Sequence, residues 1–209
     1  MKKQFIFKLF SVFIILWINW VNVAYSETIS SSENQLSRYS KTDISVQDLR
    51  KSCTSSDGID GILFCQELVK ATPSDPESWN YLGYKYYNYQ KYKEALLAYG
   101  QALDLNPKYS LALANICGLL NKIKSYDLAL KACDYALEND SFWGLEGKAL
   151  ALDYKGSILF NLGRYQQSLD AFNSALAANP KYNNASINRS IILNHLKYFA
   201  RKKILLSST

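Results

Sequence analysis

At 209 residues and 23.8 kDa, with 48% hydrophobic and 20% charged residues, the chain is long and apolar enough to bury a core, which excludes a wholly disordered polymer. Its 24 Lys and Arg against 18 Asp and Glu overstate the basic footprint: Lys2, Lys3 and Lys8 sit in an acid-free leader, and without them 21 cations face 18 anions. That balance does not build the positive face of a nucleic-acid binder, and one His, one Met and four Cys leave little material for a multi-ligand metal centre.

Met1-Lys2-Lys3, the apolar run Leu9 to Ile18 and the small-x-small ending Val23-Ala24-Tyr25-Ser26 have the three-part grammar of a secretory signal peptide, with cleavage expected after Ser26. Asn19 and Asn22 interrupt the run short of the roughly 20 apolar residues of a spanning anchor, so residues 1–26 are read as a leader in preference to a retained anchor. Membrane contact follows only from the second reading. Glu27 to Thr42 is a flexible polar spacer. All four cysteines lie beyond it, and in an exported chain they meet a compartment where disulfides persist. Four cysteines allow three pairings. No C-x-x-C spacing is present, so structural bridges rank ahead of a cycling redox pair, the enzyme-class alternative.

Pro76 to Tyr109 carries Trp79-x-x-Leu82-Gly83-x-x-Tyr86, then Tyr92, Ala95, Tyr99, Ala102 and Pro107. Ala149 to Tyr182 repeats it with Gly156, Leu159, Gly163, Tyr165, Phe172, Ala175 and Pro180. Leu82, Tyr86, Tyr92 and Tyr99 recur at helical intervals and form one apolar stripe per helix, which needs a neighbour. Gly83 and Ala95 are small where two antiparallel helices come closest, and Ala102 plays that part against the next unit. Asn106-Pro107 and Asn179-Pro180 stop the second helices, because proline neither continues a helix nor tolerates one before it. Most of the 16 tyrosines thereby become packing residues with a polar tip.

This pattern resembles the tetratricopeptide repeat family, a helix-turn-helix unit of about 34 residues. Projecting the period gives two degenerate units. Thr42 to Asp75 keeps Leu49, Cys65, Leu68 and Pro73; Ser110 to about Trp143 keeps Ile116, Leu120, Tyr126, Ala129 and Ala136, with Cys117 for the glycine and Cys133 for the aromatic. In this organisation Cys53 with Cys65 and Cys117 with Cys133 each join neighbouring helices, which favours those local pairs. About five extra residues, within Ser141 to Gly147, form a longer turn or an extended helix end. Asn184 to about Lys203 reads as a capping helix with Ile187, Ile191, Ile192, Leu196 and Phe199 on one packing side. Arg201-Lys202-Lys203 closes it with cations that suit a helix C-terminus, a reading placed ahead of a membrane-binding basic tail.

The resemblance implies an all-α solenoid whose first helices line a concave groove, with ligand positions at Asn80, Tyr84, Tyr87 and Asn88, at Asn121 and Lys122, and at Asp153, Ser157, Phe160 and Asn161. Rings and amides interleaved on one groove suit an extended peptide, against the plainer reading of a solvated face. Tyr84, Gly118 and Ser157 stand where the carboxylate-clamping members of the family carry asparagine, which argues against recognition of chaperone tails of that kind.

No phosphate loop, dinucleotide fingerprint, H-E-x-x-H or G-x-S-x-G occurs, His195 has no acid-rich neighbourhood in sequence, and Asp153 is a single carboxylate. The sequons at Asn139, Asn184 and Asn188 are weak signals in an Asn- and Ser-rich chain. The expectation is a non-catalytic protein-binding scaffold without cofactor, metal or nucleic acid, its partner a protein or peptide. LFNLGRYQQSLDAFNSALAANP also looks like segments of exported repeat proteins from photosynthetic prokaryotes, which implies a periplasm or thylakoid lumen and, as one role, assembly of a membrane complex. The alternative to a free scaffold is a membrane-tethered assembly factor.

Overall fold

A computed structural model describes residues 45–139, 141–143 and 147–207. The leader at 1–26 and the spacer at 27–42 lie outside the described residues. Those that are described form helices and connecting turns without strands. In chain order the helices are α1 (Val46–Ser55), α2 (Gly58–Ala71), α3 (Pro76–Asn88), α4 (Tyr92–Leu105), α5 (Ser110–Lys122), α6 (Tyr126–Asn139), α7 (Lys148–Asn161), α8 (Tyr165–Ala178) and α9 (Asn183–Ser207).

They pair in sequence, α1 with α2 through α7 with α8, and each second helix packs on the next first helix. Successive first helices touch (α1 with α3, α3 with α5, α5 with α7, α7 with α9), whereas no contact joins successive second helices among the described residues. An array tighter on one side than on the other curves. The first helices line its inner face, and the architecture is an all-α solenoid of antiparallel pairs.

The three pairs from α3 to α8 are closed by the same turn. Gln90, Lys124 and Gly163 occupy one repeat position with left-handed φ of 60°, 63° and 73°. The following amide reaches back to the last turn of the first helix: Lys91 N–H to Tyr86 O, Ser125 N–H to Leu120 O and Arg164 N–H to Leu159 O. Inside the pairs, the Tyr99 ring lies against Gly83 and the Phe172 ring against Gly156, where a Cβ would stand 2.6 Å from ring carbons in both cases. The third pair, α5 with α6, solves the same approach differently. Cys117 and Cys133, at the glycine and aromatic positions, stand at disulfide distance with Cα atoms 5.3 Å apart. Cys53 and Cys65 do so across α1 and α2, with Cα atoms 4.7 Å apart. The local pairing expected from the repeat is the one seen.

Polar ties hold the first pair to the second, among them Gln66 of α2 donating to the Tyr86 hydroxyl at 2.9 Å. Lys85 sends a buried ammonium from α3 to the carbonyls of Thr54 and Ser56 at the C-terminal end of α1, at 3.2 and 2.6 Å. A cation there opposes the negative end of the helix dipole. Arg50 bridges Asp75 and Glu77, both at 2.7 Å, across the start of α3. Burial alone would raise the Asp75 carboxyl, but hydrogen bonds from Ser78 and Arg50 outweigh it and hold the group below its ordinary range.

Where it is described, at 141–143, the insertion after α6 is not helical. Ser141 and Phe142 offer their carbonyls to the amides of Ser110 and Leu111, capping α5 across the repeat. The cap departs from expectation in two ways. Ile192 is buried and Leu196 half-buried, but Ile187, Ile191 and Phe199 remain exposed. The helix packs as the first helix of another repeat, which turns Ala185 and Ile192 into the array and Ile187 and Ile191 out of it. In addition, α9 continues past Lys203 to Ser207, so its last turn carries no cation.

Candidate functional site

A contact ladder crosses the inner face with a step of 35 residues. The Asn115 amide donates to Asn80 Oδ1 at 2.9 Å, and the Asn188 amide donates to Asp153 Oδ1 at 2.8 Å. The Phe160 and His195 rings meet edge to face, with centroids 5.5 Å apart. With the insertion added, the step becomes 40 residues, and the Asn161 amide donates to Asn121 Oδ1 at 3.2 Å. Each rung ties a first helix to the next.

The ladder divides the positions read from the sequence. Asn80 and Asp153 are 2% and 5% exposed and spend their oxygens on the neighbouring repeat. Phe160 is half-buried among Tyr165 and His195. Asn121 and Asn161 are paired with each other. Tyr84, 46% exposed, Asn88 and Lys122 face solvent, while Tyr87 and Ser157 are half-buried. Tyr87, Asn88 and Lys122 come together with Gln90 and Tyr92 around a cavity of about 240 Å³ between the end of α3 and the end of α5. The Tyr87 and Tyr92 rings pack at 5.9 Å. Burial, then the neighbouring Tyr92 and Tyr84, raise the Tyr87 phenol, which keeps it a neutral donor.

The middle of the groove is bare. Gly118, one position before α5 turns toward its end, lies under the Tyr154 ring of α7, and a Cβ there would stand 2.6 Å from it. An asparagine at 118 would displace that ring, so the departure from the clamp pattern is built into the packing. At the far end Ile187 and Ile191 are 59% and 52% exposed. They lie one 34-residue step beyond Asp153 and Ser157 and therefore extend the inner face. Helical spacing alone assigned them to the core side; the repeat register was the signal that placed them correctly.

The surface thus combines phenol rings, branched aliphatics, side-chain amides and one lysine that makes no ion pair among the described residues. It suits shape and hydrogen-bond recognition. His195, half-buried on α9, is surrounded by the rings of Phe160, Tyr165 and Phe199, and its Nε2 has no hydrogen-bond partner. Its neighbours among the described residues are rings, not a nucleophile. A larger cavity of about 380 Å³ opens on the outer side among α6, α7 and α8, where Lys155 and Asp134 pair at 2.6 Å and Arg164 and Asp170 bond to Gln167 and Gln166. Among the described residues no group of three or more His, Cys, Asp or Glu is arranged to hold a metal ion.

Comparison with known proteins agrees with this geometry. The family model described as Tetratricopeptide repeat matches residues 76–109 and 149–182. The chain is 30% identical over 115 residues to the Small glutamine-rich tetratricopeptide repeat-containing protein 2 of Mycosarcoma maydis, covering 55% of this chain and 30% of that one. It is 27% identical over 123 residues to the Hsp70-Hsp90 organising protein of Plasmodium falciparum, covering 58% of this chain and 20% of that one. The chain therefore spans less than a third of the length of either relative. Among solved structures, the first repeat domain of Spaghetti (RPAP3) bound to the HSP90 peptide SRMEEVD superposes with a TM-score of 0.51 at 20% identity, covering 59% of this chain and 94% of that one.

Proposed function

The chain carries tetratricopeptide repeats, and from that premise we propose that it is a non-catalytic scaffold whose inner groove captures an extended segment of a partner protein. The observation that carries the reading is the division of labour on the inner face. The amide and carboxylate rungs lock neighbouring repeats together, so the groove is preformed, and the groups left open are Tyr84, Tyr87, Asn88 and Lys122 at one end and Ile187 and Ile191 at the other. A rigid groove with aromatic anchors loses little ordering entropy on binding. Repeats of this kind generally serve as interaction modules, and the RPAP3 domain holds a peptide.

The segment captured differs in its end group from an acidic chaperone tail. Gly118 under Tyr154, with Tyr84 and Ser157 at the equivalent positions, supplies no amide clamp for a terminal carboxylate. The groove instead favours a segment with apolar side chains at both ends of its reach. Export fits the same account: the leader grammar of residues 1–26 and two cysteine pairs at disulfide distance both suit an oxidising compartment such as a periplasm or lumen.

A photoreactive phenylalanine analogue at position 84 tests the groove. It is expected to crosslink the partner, whereas the same probe at exposed Leu97 on α4 is not. Tyr84→Ala with Tyr87→Ala is expected to abolish capture while leaving helicity intact. Equal capture by that double variant refutes the reading.

A further inference from the structure

The last acidic residue of the chain is Asp170, and Lys181, Arg189, Lys197, Arg201, Lys202 and Lys203 follow it. Residues 181–203 therefore carry six cations and no acid. Arg189, Lys197, Arg201 and Lys202 are exposed on α9, and none forms an ion pair among the described residues, in contrast to Arg50, Lys70, Lys85 and Lys155 within the repeats. Arg189, Lys197 and Arg201 fall on one ridge at multiples of four residues.

The helix dipole does not account for the cluster. Its favourable effect falls off within the last turn, and here a further turn, with the sequence Ile204-Leu205-Leu206-Ser207, follows the cations. Packing does not account for it either. The last ring contact α9 makes with the repeats is Phe199 on Tyr165, with centroids 6.0 Å apart, and every residue from Lys197 to Lys202 is exposed. From Phe199 to Ser207 the helix runs on for eight residues, about 12 Å. On this extension Tyr198, Arg201 and Lys202 share one side at spacings of three and four, with the Tyr198 ring against the Phe199 ring at 5.8 Å.

Cations beside exposed aromatic rings on a helix end that no other described element covers form the chemistry of an anionic bilayer surface. Lysine and arginine meet the headgroup charge while tyrosine and phenylalanine sit at the boundary with the acyl chains. No described helix is long and apolar enough to cross a membrane, so the contact is interfacial. We infer that the C-terminal extension of α9 docks the solenoid on a bilayer rich in anionic lipid, leaving the groove free for its partner. An acidic polypeptide would meet the cations but give the exposed rings no apolar phase to enter.

Hydrogen exchange of the full chain, with and without vesicles, locates the contact by residue and separates it from any contact made by residues 1–26. Vesicles of phosphatidylcholine with phosphatidylglycerol are expected to slow the amides of residues 198–207, and pure phosphatidylcholine vesicles are not. Arg201→Gln, Lys202→Gln and Lys203→Gln together are expected to lower vesicle partitioning on the order of a hundred-fold, since each cation near the surface is worth about five-fold. Circular dichroism of the triple variant should match that of the parent. Protection confined to other residues, equal protection by both vesicle types, or protection by polyglutamate without protection by anionic vesicles would overturn the inference.

Discussion

Asn80 and Asn115 show how much of the inner face goes to holding the array together. Both are buried, and one amide hydrogen bond of 2.9 Å joins them across the repeat boundary. Asn115→Ala leaves the Asn80 oxygen buried without its donor. Denaturant unfolding is expected to show a loss of about 1–3 kcal/mol, the cost of an unsatisfied buried polar group. Asn80→Leu with Asn115→Leu removes both partners and should recover most of that loss; a double variant less stable than the single one would show that the pair does more than satisfy itself. The residue types here were legible in the sequence, but their use was not. A carboxylate or amide at the fifth position of a repeat reads the same whether it faces a ligand or the next helix. Only the register against the following repeat, 35 residues on, distinguishes Asn80 and Asp153 from Tyr84.

At the scale of helices, the sequence determined more, because proline stops, small residues and aromatic stripes act locally. The two matching copies appear as α3 with α4 and α7 with α8, with Gly83 and Gly156 under the rings their spacing called for. The degenerate pair α5 with α6 is the informative case. Its cysteines occupy the same two positions as the glycine and the aromatic, so a covalent link replaces a ring packed on a bare backbone. Cys117→Ser with Cys133→Ser is expected to cost about 3 kcal/mol, as for a closed loop of about 15 residues. Cys117→Gly with Cys133→Phe restores the packing used by its neighbours and should regain part of that loss in a thermal melt. If the serine pair proves as stable as the parent, the link is not what holds α5 on α6. The insertion was harder to foresee. Residues 141–143 fold back on the start of α5 through backbone hydrogen bonds, and the hydroxyls of Ser110 and Ser141 join them, serines that look like any others in an Asn- and Ser-rich chain.

Across the whole molecule, the problem left by a solenoid is its ends. A first helix without its second would normally leave an apolar flank bare. Trp79, Leu82, Gly83 and Tyr86 are what α3 presents to its own partner helix; one repeat register in α9 puts Ser186, Arg189, Ser190 and Leu193 at the corresponding places. Ser186, Arg189 and Ser190 are exposed, so this end is finished with polar groups while Ala185 and Ile192 close the core beneath. Reading the apolar residues of α9 by helical spacing alone merged the core side and the inner face into one stripe. Ser186→Trp with Arg189→Leu recreates the flank of a repeat that lacks its second helix. The variant is expected to fold, because neither side chain touches the core, yet to self-associate as concentration rises, which sedimentation velocity would show beside a parent of unchanged state. A variant whose sedimentation matches the parent's across that range would mean that some other feature of α9 ends the array, and that its polar flank is incidental.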